Sequence, residues 1–188
     1  INSFVNEDLL KQADPNIGIA PDPDIKLRDV VDRAAERVGE RFKGQPLVES
    51  AILLTLSQTY ESLGVHDVAL EFAQRSLALR KQEIGVDPPD TLISMRAVGW
   101  TLFRVGRLEE AETMLRSAYE RQRSILGDDA RATLDSLANL GTVIGQQGRY
   151  DEAEEILSEV LAVERRAPAQ DEKCIAITLV NLGLVRRD

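Results

Sequence analysis

Between Thr91 and Val105 the apolar residues Leu92, Met95, Val98 and Leu102 fall three and four positions apart, the spacing of one helix face. Gly106 follows, where a left-handed residue would close the helix. A second run starts near Leu108, carries Ala111, Met114, Leu115, Ala118 and Ile125, and stops at Gly127. The pattern then recurs. Gly64, Gly106 and Gly148 lie 42 residues apart, as do Ala69, Ala111 and Ala153, and Gly99, Gly141 and Gly183. Gly85 and Gly127, and Thr91 and Thr133, share that period. The repeating unit is therefore a pair of helices, present in about 3.4 copies from residue 46 onward: 46–87, 88–129, 130–170 and a partial 171–188. No strand-length alternation occurs, so the expected class is all-α. Asp87 before Pro88, and Asp129 one repeat later, read as N-caps.

Gly99 and Gly141 stand inside first helices, where glycine costs about 1 kcal/mol relative to alanine. A close helix approach would explain them, with Ala69, Ala111 and Ala153 as the expected opposing residues. Residues 171–188 form a further first helix, with Ile175, Leu179, Leu182 and Val185 as a stripe and no second helix after it. An apolar stripe of that size seeks a cover: the helix caps the array with this side turned inward on the third repeat, or the natural chain continues, or two copies meet through it, and the expectation is a truncated array with self-association at this end as a consequence. Residues 1–45 are expected to hold a short helix over Ser3–Gln12, an acidic, Pro-rich linker from Ala13 to Lys26, and a capping helix from Leu27 to Phe42. Solenoid ends need such closure.

These residues resemble the tetratricopeptide repeat. The second copy supplies Met95, Val98-Gly99, Leu102, Ala111 and Leu115, and the third Leu137, Leu140-Gly141, Ile144, Ala153 and Leu157. The 42-residue period, with Gly106-Arg107-Leu108-Glu109-Glu110-Ala111-Glu112 and Gly148-Arg149-Tyr150-Asp151-Glu152-Ala153-Glu154 opening second helices, is similar to the kinesin-light-chain type. The resemblance implies a right-handed superhelical array of antiparallel helix pairs whose first helices line a concave groove. A second resemblance lies in Phe4-Val5-Asn6-Glu7-Asp8-Leu9-Leu10, Leu27-Arg28-Asp29-Val30-Val31 and Gln45-Pro46-Leu47-Val48. That pattern looks like a segment of bacterial signalling proteins, in which a Ser/Thr kinase or DNA-binding regulator domain precedes such an array.

Composition narrows the chemistry. The 188 residues hold 23 basic and 32 acidic side chains, a net charge of -9. Nucleic acid and anionic membrane surfaces are disfavoured partners on that balance. One histidine and one cysteine give no basis for a His- or Cys-rich metal site, and no cofactor is expected. No phosphate-binding glycine motif occurs, so the expected function is non-catalytic. His66 reads as a solvated turn residue and Cys174 as an inert small one. A lone cysteine and no apolar run of membrane-spanning length fit a cytoplasmic protein. The chain opens on Ile1 without a signal-peptide pattern, and we expect it to be part of something longer.

The groove implied by the resemblance locates the candidate site. In the second repeat it would present Ile93, Arg96, Ala97, Trp100, Phe103 and Arg104; in the third, Asp135, Ala138, Asn139, Thr142 and Gln146. The partial fourth offers Val180, Asn181 and Leu184, and the first Leu54, Thr55, Gln58 and Glu61. Arg96, Trp100 and Arg104 form an i, i+4, i+8 stripe holding the chain's one tryptophan. Aromatic and arginine anchors dominate interface energies, so the stripe suits a peptide bearing acidic or phosphorylated groups. Asn139 and Asn181, 42 apart, match the position at which peptide-binding members hold a peptide backbone. Trp100 could instead fill space between repeats, and the asparagines could be plain surface residues. The lysines of the carboxylate-clamp subclass have no counterparts. Homodimerisation of a kinase or regulator is the alternative function.

Overall fold

The protein is described from a computed structural model covering residues 27–166 and 172–185. The expected helix over Ser3–Gln12 and its linker lie outside the described residues. Eight helices and no strand are found among those described: α1 (Leu27–Arg41), α2 (Pro46–Ser62), α3 (His66–Ile84), α4 (Pro89–Arg104), α5 (Leu108–Leu126), α6 (Arg131–Gln146), α7 (Tyr150–Arg166) and α8 (Glu172–Val185). They belong to two units, Ile1–Gly85 and Val86–Asp188.

In the first unit α1 packs on α2 and α2 on α3. Val31 and Val38 of α1, with Phe42 just after it, join Leu53, Leu56, Tyr60, Ala69 and Phe72 in one apolar core. Tyr60 is fully buried, stacks on Phe72 at 5.5 Å and donates its hydroxyl to the Asp32 carboxylate, which ties α1 to the hairpin. Ser57 occupies the position that glycine holds in later repeats. Its hydroxyl crosses to the Ala69 carbonyl at 2.8 Å, so a small polar side chain serves where the helices meet. Arg80 is buried and donates to the Ser50 hydroxyl at 3.2 Å.

In the second unit each helix packs on the next from α4 to α8. The first helices also touch one another, α4 with α6 and α6 with α8, so they lie side by side as a layer. Each hairpin reverses within three residues, and the reversal needs backbone that only glycine adopts freely. Gly106 and Gly148 have φ of +81° and +82°. In the first of these turns Arg107 N–H returns to the Leu102 carbonyl at 2.9 Å, satisfying an end group of α4.

The mid-helix glycines do mark a close approach, but their neighbours differ from expectation. A Cβ on Gly99 would stand 2.6 Å from Leu115 Cγ, and one on Gly141 would stand 3.0 Å from Ile156 Cγ2 and Leu157 Cγ. The opposing residue is thus a leucine one turn beyond Ala111 or Ala153. Those alanines are fully buried, leaving the leucine room to reach the glycine. The N-cap assignments also need correction. Pro88 and Ala130 hold the cap positions, with no side-chain cap bond. Asp87 is exposed and forms an ion pair with Arg121 instead.

Candidate functional site

The stripe predicted on α4 lies beside its buried face. Leu92, Met95, Val98, Gly99 and Leu102 turn inward, and this rotation leaves Arg96, Trp100 and Phe103 half-buried and Arg104 exposed. The Trp100 and Phe103 rings meet at 5.1 Å, tilted by 40°, a stable aromatic pair. Arg96 is unusual in its surroundings. Its Nε is buried without a hydrogen-bond partner, and among the described residues no carboxylate pairs with it. Elsewhere in the unit Arg107, Arg116, Arg121, Arg123, Arg131 and Arg149 each meet an acid. Because Nε is shut off from solvent, only the terminal nitrogens of this guanidinium can meet a group from outside the chain.

The neighbouring first helices supply polar groups. Asn139 and Thr142 of α6 are half-buried, and Gln146 is exposed. Asn181 of α8 donates its amide to Thr142 Oγ1 at 3.0 Å, and Thr142 donates to the Ala138 carbonyl at 2.9 Å. The two asparagines at one repeat position therefore differ: Asn181 is engaged in joining α8 to α6. Asp135 is taken by Arg131 at 2.8 Å, and Val180 is exposed. The side chains of Leu184 and Cys174 lie outside the described residues. Of the first-repeat positions, Thr55 and Gln58 are exposed, but Leu54 is buried, contrary to expectation. His66 is not simply solvated: its Nδ1 lies 3.1 Å from Glu61 Oε1.

The sequence did not suggest the charge cluster at the start of the second helices. Arg149 bonds both Glu112 of the preceding hairpin at 2.8 Å and Glu152 of its own, and Arg116 also bonds Glu112 at 2.8 Å. Burial pushes the Glu112 carboxyl up, but bonds from Arg116, Arg149 and Gln147 outweigh it and hold the pKa down at about 2. The recurrence of Arg107 with Arg149, and of Glu112 with Glu154, was the available signal. A separate depression of about 400 Å³ lies along α5, lined by Asp87, Ser117, Glu120, Arg121, Ser124 and Ile125, and contains none of the candidate residues. Among the described residues no group of acids, histidines or cysteines could hold a metal ion.

The Tetratricopeptide repeat family profile matches residues 49–124 and 102–166. The chain belongs to the tetratricopeptide repeat family. Repeats of this family generally mediate protein–protein contacts, and the fold is typically a non-catalytic scaffold. The crystal structure of BtubC (BKLC) from P. vanneervenii is similar, with a TM-score of 0.70 at 21% identity over 85% of this chain and 63% of that one. The tetratricopeptide chain here thus spans less than two thirds of BtubC. The nearly identical TPR-like repeats from Podosopora anserina, named as a kinesin light chain, are similar in two structures with TM-scores of 0.67 and 0.65, both at 17% identity over 85% of this chain and 75% of theirs. These likenesses bear out the 42-residue, kinesin-light-chain-like hairpin as the fold. No curated protein matches the chain significantly. No described helix is long and apolar enough to cross a membrane.

Proposed function

We propose that the first-helix layer of the second unit binds an acidic peptide segment of another protein, without catalysis. The observation that carries this reading is Arg96, half-buried and without a carboxylate partner among the described residues, one turn from Trp100 of the Trp100–Phe103 pair. A carboxylate or phosphate of the ligand satisfies the guanidinium, the aromatic pair takes an apolar neighbour, and Arg104 adds a second positive group at the exposed end of the stripe. Asn139, with Gln146 beyond it, bonds the peptide backbone, while Asn181 and Thr142 keep α8 and α6 together. The likeness of the first 51 residues to bacterial signalling proteins supports a place in a larger cytoplasmic protein of that kind, with a kinase or DNA-binding domain ahead of the array.

The test is selection of peptides from a random display library, followed by titration through the fluorescence of Trp100, the chain's one tryptophan. Selected peptides should be rich in Asp and Glu. Arg96→Ala should weaken them roughly ten- to hundredfold, the worth of a charged hydrogen bond. Replacing the ligand's acid by its amide should cost as much, and should cost little more on the Arg96→Ala background. Neutral winners, or equal affinity for Arg96→Ala, would refute the proposal.

A further inference from the structure

Where α5 packs on α6, the chain buries polar side chains that it does not itself satisfy. Gln122 of α5 and Thr133 and Ser136 of α6 are each fully buried. Both polar atoms of the Gln122 amide, and both hydroxyl oxygens, have no hydrogen-bond partner among the described residues. The hydroxyls do not turn back on their own helix. Thr101, Thr113 and Thr142 each donate to the carbonyl four residues earlier, and Thr133 and Ser136 do not. The repeat shows where side chains at these positions point. Glu164 and Thr178 stand 42 residues beyond Gln122 and Ser136, and there the Thr178 hydroxyl donates to Glu164 across the α7–α8 junction at 3.0 Å. Gln122 therefore faces Ser136, with Thr133 one turn away on the same side of α6.

The two junctions differ in chemistry. At α7–α8 the acceptor is a carboxylate, whose charge draws the hydroxyl into contact, and Ile175 holds the position of Thr133. At α5–α6 an amide of the same length stands in place of the acid, and a second hydroxyl is added. A polar group cut off from solvent and left unbonded costs more than a typical hydrogen bond returns, so these four atoms need partners. The partner has to be small, since none of the three side chains opens to solvent. It has to be neutral, since the set holds no charge to balance a buried ion. It has to donate and accept at once, since the amide offers both a carbonyl oxygen and an NH2 group. We infer that water is bound here, bridging the Gln122 amide to the hydroxyls of Thr133 and Ser136 and closing the junction between the second and third repeats. A water that donates to Gln122 Oε1 and accepts from a hydroxyl meets both needs. The site shares no residue with the proposed peptide surface, and the two readings stand or fall separately.

A high-resolution crystal structure of the chain tests the site directly. Water density is expected within hydrogen-bond distance of Gln122 and of at least one of the two hydroxyls. In solution, deuteron magnetic relaxation dispersion counts the waters held for longer than the molecule takes to tumble. Gln122→Met, Thr133→Val and Ser136→Ala together keep the shape of the junction and remove its polar atoms. That triple variant should hold at least one long-lived water fewer than the parent chain, at unchanged helical circular dichroism. A crystal structure in which Gln122 bonds a hydroxyl directly, with no water between them, overturns the inference, whether or not the variant folds. A folded triple variant with the same count of long-lived waters as its parent overturns it too.

Discussion

Glycine stands at the same repeat position in α4, α6 and α8, yet alanine there should act with opposite signs. In a helix interior the exchange favours alanine by about 1 kcal/mol through backbone entropy. At Gly183 nothing opposes that gain, because a new methyl meets no atom within 4 Å. At Gly99 the methyl would stand 2.6 Å from Leu115 Cγ, 2.9 Å from its Cδ2 and 3.3 Å from its backbone nitrogen. Leu115 is fully buried and has no space to retreat into, and overpacking of this kind costs about 1–3 kcal/mol. Gly141 is intermediate, with its nearest atoms at 3.0 Å on the side chains of Ile156 and Leu157. The expected order of thermal stability is Gly183→Ala at or above the parent chain, then Gly141→Ala, then Gly99→Ala, the last losing up to about 2 kcal/mol net and melting up to roughly 8 °C low. Calorimetry in dilute solution, where any dimer is dissociated, measures this. Gly99→Ala combined with Leu115→Ala should be less harmful than the sum of the two single changes. A Gly99→Ala chain stabilised as much as Gly183→Ala would refute the close approach of α4 and α5.

Glu112→Gln should lower stability at neutral pH by about 1 kcal/mol, discounted because Arg116 and Arg149 are half-exposed. The carboxyl's folded pKa is depressed to about 2, so its contribution is complete above pH 4.5 and disappears as pH falls toward 2. Urea titrations across that window should find the gap between parent and variant closing with acid, and a gap independent of pH would contradict the cluster. Tyr60→Phe removes the hydroxyl that α2 offers Asp32 of α1, and should cost about 1–3 kcal/mol in urea unfolding. Amide exchange should show the loss concentrated in α1, and uniform weakening of the first unit would argue against that anchor.

The helix pairs and their turns were legible because glycine at the turns and apolar residues at three-and-four spacing are local signals. Contacts between helices were less so. The glycines announced close packing, but spacing alone could not distinguish Ala111 from Leu115 as the neighbour, since both lie on one face of α5. Asp87 carried the right chemistry for an N-cap, and Arg121, 34 residues away, claimed it. That Arg96 and Trp100 sit half-buried and Arg104 exposed, beside the buried face of α4, followed from the spacing of its apolar residues. The unpaired state of Arg96 could not, because it depends on where every nearby carboxylate goes. Arg149 bridging two hairpins was hidden for the same reason: its partner Glu112 sits 37 residues away.

The recurring hairpin gives the chain a unit of length as well as a unit of packing. Under tension, each hairpin that lets go releases about 42 residues, roughly 150 Å of extended backbone. Because a solenoid repeat leans only on its neighbours, such releases come one after another rather than together. A chain built this way can yield ground in equal steps between two points of attachment, and each recoiled hairpin returns the same length.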